Sequence, residues 1–324
     1  MFIRRAVKIP GGQAISELIE VTIGGIKQWI YLRGKNKNNP ILLMLHGGPG
    51  TGQIGFIRKF QRELENHFVV VQWDQRGAGL SYSKKISPDS MTIDQFVSDT
   101  IELTKYILDR LSRQQLYLVC HSWGTILGML AIQRAPDLYK RYFGVAQVVD
   151  VMAGNKLSYE QLLTIVQEQK DEKAYQALTH IGPPPWENLR YDRIHQNYVD
   201  KFGGGITRDG KMVRKILLNL LTSKEYTLYD VIRFMRGQFF SMQHLQKEME
   251  QTNLAETITK VNIPVYFLMG TYDLMTPVEL AEQYFNELSA PEKQLILFEK
   301  SAHTPIFEEP KKFLDIMMRA TSKD

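Results

Sequence analysis

The stretch LYLVCHSWG, residues 116–124, begins as an apolar run and ends on a serine followed two residues later by glycine. Its first half reads as a strand apolar on both faces, the pattern of a buried parallel sheet. From Trp123 to Arg134 the chain reads as a helix that stops near Pro136. Ser122 therefore falls on the turn between a strand and a helix. A serine on so sharp a turn projects its hydroxyl above the sheet, and small flanking residues let strand and helix pass closely. The helix N-terminus behind it favours developing negative charge. Of the serines in the chain, only Ser122 has glycine two residues on, and Cys120 stands where the usual G-x-S-x-G pattern has its first glycine. The alternative role for such a serine is an ordinary helix N-cap.

Working outward, the same strand-then-punctuation pattern recurs. ILLML (41–45) stops at the glycine cluster 46–50, FVVVQWDQRGAG starts at Phe68, and YFGVAQVVD starts at Tyr142. PVYFLMG (from Pro264) and QLILFE (from Gln294) follow near the C-terminus. Residues 17–33 alternate around Gly24-Gly25 and predict a hairpin. Helical periodicity fills the gaps. Thr92–Leu111 has Thr92 as cap and Asp94 in its first turn, and Pro277–Leu288 has Thr276 as cap and Pro277 at the first helical position. Strand–helix alternation predicts an α/β fold, a mostly parallel sheet flanked by helices. Between about Met152 and Glu256 the alternation stops. That segment holds amphipathic helical patterns divided by Pro183-Pro184-Pro185 and Gly203-Gly204-Gly205, and it reads as an all-helical cap inserted into the core. The predicted division is a core of 1–151 and 257–324 with a cap of 152–256.

A serine nucleophile needs a base within hydrogen-bond reach and an acid to hold that base. His303, in EKSAHTP (299–305), and Asp273, in GTYDLMTP (270–277), each follow a strand. All three residues then lie on loops at one sheet edge, in the chain order Ser, Asp, His. Among the competitors, His121 on the tight turn points elsewhere, and His46 opens a glycine loop that it is better placed to hydrogen-bond. Asp150 also ends a strand and is the second candidate for the orienting acid. Backbone N–H groups of the loop His46–Gly50 and of Trp123 are candidate oxyanion donors. A phosphate-binding reading of the glycines lacks the G-x-x-x-x-G-K-[ST] pattern.

Bulk properties narrow the classes. The chain's 324 residues, 44% hydrophobic and 23% charged, can fill one large core or a core plus a smaller unit. The net charge of +5 comes from 40 basic against 35 acidic residues, and no basic block is interleaved with aromatics, so no nucleic-acid partner is expected. Cys120 is the single cysteine, which excludes an intrachain disulfide and fits a reducing compartment. No signal-peptide pattern and no membrane-spanning apolar run is read, and the expected location is cytoplasmic. His67, His180, His195 and His244 have no metal-ligand spacing, so neither metal nor cofactor is expected.

Five motifs in this order, HGGPG, WDQRGAGLS, HSWG, GTYDLMTP and SAHTP, resemble the prolyl iminopeptidase branch of the α/β-hydrolases, serine aminopeptidases of the S33 type. The resemblance covers about 1–150 and 256–324. It implies the α/β-hydrolase fold, a triad of Ser122, Asp273 and His303, and oxyanion donors Gly48 and Trp123. It also implies a buried network at Asp74, Gln75 and Arg76. Enzymes of this branch clamp the peptide's free amine with cap glutamates, and Glu187 beside Trp186 is the candidate here. The expected function is therefore a serine hydrolase acting through an acyl-enzyme, an aminopeptidase of prolyl iminopeptidase type that releases an N-terminal residue from a short peptide. A carboxylesterase or other small-acyl hydrolase is the alternative, and a non-catalytic ligand-binding protein on the same fold is the third reading. Dehalogenase or epoxide hydrolase chemistry would need Asp where Ser122 stands. The oligomeric state is left open.

Overall fold

The computed structural model describes residues 4–186 and 188–322. Its strands are β1 (Ile15–Ile23), β2 (Ile26–Gly34), β3 (Ile41–Leu45), β4 (Val69–Asp74), β5 (Leu116–His121), β6 (Tyr139–Val145), β7 (Val265–Gly270) and β8 (Lys293–Phe298). Its helices are α1 (Ile93–Leu111), α2 (Trp123–Arg134), α3 (Val151–Glu168), α4 (Glu172–Ile181), α5 (Leu189–Lys201), α6 (Met212–Leu221), α7 (Leu228–Glu250), α8 (Leu254–Thr257), α9 (Val278–Glu287), α10 (Pro305–Glu308) and α11 (Pro310–Thr321).

One eight-stranded sheet runs in the order β1-β2-β4-β3-β5-β6-β7-β8. Strands β3 to β8 are parallel, and the predicted hairpin β1–β2 adds an antiparallel margin through β2 against β4. Every residue of β3, β4, β5 and β7 is buried, as both-face apolar runs require. β8 departs from that expectation. It is the sheet's edge strand, only its last residue is buried, and Leu297 is exposed. The order places β3, β4, β5, β6 and β7 with their C-terminal ends at one edge, so the loops after β3, β5, β7 and β8 gather there.

The junction of β5 and α2 is set by close packing. A Cβ on Gly124 would lie 2.7 Å from the Leu45 carbonyl oxygen, so only glycine lets α2 approach β3. One helical turn on, a Cβ on Gly128 would collide with the Cys120 sulfur and lie 2.7 Å from the Tyr142 ring. The larger residue at 120 is therefore accommodated by a missing side chain on the facing helix.

Between β6 and β7 the described residues form only helices, α3 to α8, as the periodicity predicts. The ends of this insertion are stapled together. Leu254 N–H donates to Val149 O at 2.7 Å, and Asn253 Nδ2 donates to Asp150 Oδ2 at 3.1 Å. A second tie crosses from the stretch between α6 and α7 into the core, where the Tyr226 hydroxyl donates to the buried Asp74 carboxylate. Leu80 N–H (2.9 Å) and Ile54 N–H (3.2 Å) donate to the same group. Burial nonetheless pushes the Asp74 carboxyl up from 3.8 to about 6, against the downward pull of those donors.

Two outcomes follow from this packing. Gly128→Ala is expected to cost about 1–3 kcal/mol in urea unfolding, with part of that recovered when Cys120→Gly is added. Strictly additive losses would show that the two sites do not compete for space. For Asp74 the folded value lies above the unfolded one, so folding favours the protonated form and this group's contribution to stability falls as pH rises from about 4 through about 6. Tyr226→Phe removes a donor to the ionised form. Its destabilisation should be small near pH 4 and grow to about 1–3 kcal/mol near pH 7.5. Equal losses at both pH values would exclude the charged carboxylate as the group that matters.

Candidate active site

Ser122 sits at the junction of β5 and α2 with φ 52° and ψ −121°, a backbone region that non-glycine residues rarely occupy. Neighbours fix it there. Ser122 N–H donates to Val145 O at 2.9 Å, and Ser122 O accepts from Thr125 N–H (2.7 Å) and Thr125 Oγ1 (2.6 Å). Although Ser122 occupies the N-cap position of α2, its side chain makes no capping bond. Among the described residues its hydroxyl has no hydrogen-bond partner, and it faces a cavity of ≈ 420 Å³. The capping role weighed for this serine is thus not the one it plays.

His303 lines the same cavity. Its Nδ1 donates to Asp273 Oδ2 at 2.9 Å, and both side chains are almost wholly buried. Asp273 Oδ1 accepts from Met275 N–H (2.8 Å) and Thr276 N–H (3.0 Å), and Oδ2 also accepts from Thr276 Oγ1 at 2.5 Å. These donors hold the carboxylate in place. They also correct one expectation. Thr276 is not the cap of α9, which begins at Val278 with Pro277 at the cap position, because the Thr276 hydroxyl is drawn to Asp273 instead. Asp150, the rival acid, is occupied elsewhere: Oδ1 accepts from Ala153 N–H at 2.9 Å to cap α3, and Oδ2 accepts from Asn253.

The other histidines fall into supporting places. Among the described residues His121 makes no hydrogen bond to the Ser122 hydroxyl. Its Nε2 donates to His303 O at 2.9 Å, its ring stands 5.0 Å from the His303 ring, and burial pushes it down to about 3, so it is neutral. Among the described residues its Nδ1 has no hydrogen-bond partner, and a Cβ on Gly47 would lie 2.8 Å from it. His46 bonds the glycine loop as read, with Nδ1 donating to Gly47 O (2.8 Å) while Nε2 accepts from Gln75 N–H (3.1 Å). Burial lowers it to about 4, again neutral. Gln75 links this loop to the elbow, because its Nε2 donates to His46 O (3.1 Å) and its Oε1 accepts from Trp123 Nε1 (3.0 Å). Asp74, Gln75 and Arg76 are all buried, but they face three ways: Asp74 to Tyr226, Gln75 to the glycine loop, and Arg76 to Asp99 at 2.9 and 3.0 Å.

Gly48 and Trp123 both border the cavity. Gly48 has φ 122°, and a Cβ there would press on the amides of Gly50 and Thr51 at 2.8 Å. Trp123 opens α2, so its N–H has no carbonyl one turn back in the helix to accept it. Both amides lie beside the serine without an acceptor among the described backbone groups. A hydroxyl, an imidazole held by a carboxylate and two free N–H groups in one cavity can carry out acyl transfer.

Glu187, the candidate amine-binding carboxylate, lies outside the described residues. The insertion instead brings Asp192 of α5 and Glu250 of α7 to the cavity wall. Burial holds the Asp192 carboxyl above its usual range, and the negative charge of Glu250 adds to this, while Arg193 opposes it. Glu250 Oε1 accepts from Gln246 Nε2 at 2.9 Å. Neither carboxylate carries a sequence signal. Among the described residues no group of three or more His, Cys, Asp or Glu side chains is placed to hold a metal ion, and no helix is long and apolar enough to cross a membrane.

The geometry has counterparts. The chain is 40% identical to the "Probable aminopeptidase YbaC" of Bacillus subtilis (strain 168) over 311 residues, 96% of this chain and 98% of that protein. It is 24% identical to a proline iminopeptidase of Saccharolobus solfataricus over 297 residues, 88% of this chain and 85% of that one. The crystal structure of a proline iminopeptidase from Mycobacterium smegmatis superposes with a TM-score of 0.70 at 15% identity, covering 95% of this chain and 98% of that one, which speaks to the fold alone. Residues 36–310 match the family described as serine aminopeptidase, S33. The chain therefore belongs to the S33 serine aminopeptidase family, on the α/β-hydrolase fold, and is a hydrolase.

Proposed function

We propose that this enzyme is an aminopeptidase working through an acyl-enzyme on Ser122, with residues 152–256 acting as a cap over a core of 1–151 and 257–324. The observation that carries the reading is the His303 Nδ1–Asp273 Oδ2 bond of 2.9 Å in the cavity that also holds the unpaired Ser122 hydroxyl. Asp273 keeps the Nδ1–H tautomer, which leaves Nε2 as the proton acceptor. Ser122 Oγ attacks the scissile carbonyl as His303 takes its proton. The N–H groups of Gly48 and Trp123 hold the oxyanion, a role worth about 3–4 kcal/mol for one donor. His303 then protonates the leaving amine, and water, activated by the same imidazole, releases the acyl group.

The choice of aminopeptidase rests on Asp192 and Glu250. Asp192 is a half-buried carboxylate whose ionisation is opposed by burial and by the neighbouring Glu250, and an ammonium at this wall would relieve that cost. The free α-amine of a peptide is such a group, and names of relatives such as aminopeptidase and proline iminopeptidase favour the same substrate class. An esterase would use the same first steps but give this acid pair nothing to bind.

Aminoacyl arylamides with a free α-amine should be turned over, and Ser122→Ala should reduce that turnover by about 10⁴–10⁶-fold without loss of fold. N-acetylation of the substrate should lower kcat/KM by about 10–100-fold, the worth of a charge-assisted hydrogen bond. Asp192→Asn or Glu250→Gln should impose a similar loss on the free-amine substrate and almost none on its N-acetyl analogue. Equal turnover of both forms, or preference for short acyl esters, would replace this reading with the esterase one.

A further inference from the structure

Residues 203–208 follow α5 and contain the run Gly203-Gly204-Gly205, which the sequence offers only as a break between helices. In the fold this segment lies across the two loops that carry Asp273 and His303. Gly204 O accepts from Leu274 N–H at 2.9 Å, the residue directly after Asp273. Gly205 O accepts from His303 N–H at 3.2 Å, and Ile206 O accepts from Thr304 Oγ1 at 2.6 Å. Arg208 closes the run. Its N–H donates to Glu308 Oε1 at 2.8 Å while the other oxygen of that carboxylate accepts from Ala302 N–H at 2.9 Å, and its guanidinium lies 3.3 Å from the centre of the Tyr272 ring. The segment therefore grips the residues on both sides of Asp273, the backbone of His303 and the Thr304 side chain, and it reaches Ala302 through Glu308.

Its own shape is fixed from the insertion side. Gly204 N–H donates to Val199 O at 3.0 Å and Gly203 N–H to Asp200 O at 3.2 Å, both at the end of α5. The glycines are needed for contact. A Cβ on Gly204 would run into the Leu274 side chain, and one on Gly205 would run into the Asp200 carboxylate. Gly203 has φ 75°, which L side chains rarely adopt.

We propose that residues 203–208 are a positioning strap by which the helical insertion sets the distance and angle between the Asp273–His303 pair and Ser122. The proposal rests on the acyl-enzyme reading above. The strap touches no reacting atom. Its carbonyls fix the backbone on which the imidazole and the carboxylate stand, and a misplacement of about 1 Å at a reacting group can cost about 100-fold in rate. A strap of this kind makes the insertion part of the catalytic geometry as well as a wall of the cavity.

The test compares fluorophosphonate labelling of Ser122 and arylamide kinetics in the full chain. Gly204→Ala, which pushes on Leu274, and Thr304→Val, which deletes one strap bond, should each slow labelling and lower kcat by about 10–100-fold with KM within about twofold. Thr304→Ser should restore both rates. Circular dichroism and urea unfolding establish that each variant is folded, and if Gly204→Ala does not fold, Thr304→Val and Thr304→Ser decide. Folded variants that label and turn over at the unaltered rate, or that raise KM alone, would overturn the strap while leaving the acyl-enzyme reading intact. Absence of labelling at Ser122 in the unaltered protein would overturn both.

Discussion

A serine held at φ 52° costs about 1–3 kcal/mol of backbone strain, and that strain persists only where the surroundings over-determine it. Here they do so from three sides. β6 accepts the Ser122 N–H through Val145, α2 closes on the Ser122 carbonyl through Thr125, and Gly124 lets the helix sit against β3. Thr125 also works outward, since its hydroxyl accepts from Val148 N–H at 3.0 Å and so ties the elbow to the start of the loop leading into the insertion. Among the described residues the hydroxyl has no partner, because the backbone bonds that hold Ser122 turn its side chain toward the cavity. Much else in the molecule reads as support for that one residue: a parallel sheet to supply the strand ends, and a mostly buried helix behind them.

The electrostatic surroundings have a consistent sense. The two imidazoles nearest the pair, His46 and His121, are driven neutral by burial and are spent on backbone contacts. Neither brings a competing positive charge to the cavity at neutral pH. Asp273 has three donors besides His303, so its carboxylate is secured before the imidazole is considered. Arg76, the cation of the WDQRG run, is held by Asp99 through Nε and Nη2 while its Nη1 donates to Ser90 Oγ, so its charge is spent away from the cavity. On the proposed mechanism, positive charge then develops at one site only, on His303 beside Asp273.

What the sequence disclosed and what it hid divide along physical lines. The parallel strands, the hairpin, α1 with its Thr92 cap (Gln95 N–H to Thr92 Oγ1, 3.2 Å) and the long helical insertion are all visible, because each is written in local apolar periodicity and punctuation. Ser122, Asp273 and His303 are legible because each follows a strand, and strand ends in a parallel sheet share an edge. The edge exposure of β8 is not legible, since an apolar run looks alike whether one neighbour or two cover it. The true role of Thr276 is hidden because a threonine before proline fits a helix cap as well as a carboxylate donor, and only the approach of Asp273 decides. Asp192, Glu250 and the 203–208 segment were invisible for a different reason. Their placement comes from helix-to-core docking across long sequence separation, which no local pattern encodes.

On the proposed reading, that last class of residue is the one that would separate activities on this core. An elbow serine with an imidazole–carboxylate pair attacks esters and amides alike, so the fold does not choose a substrate. Choice has to come from the wall of the cavity. A substrate that lacks an amine would cover Asp192 and Glu250 without pairing them, and leaving a desolvated charged group unpaired costs more than the 1–3 kcal/mol or so of a neutral one. Discrimination of that sort acts by penalty as much as by attraction. On this argument the acid pair need not touch the scissile bond to define the enzyme. It need only make every substrate without a positive charge at that end of the cavity a poor fit, and helices α5 and α7 hold it there.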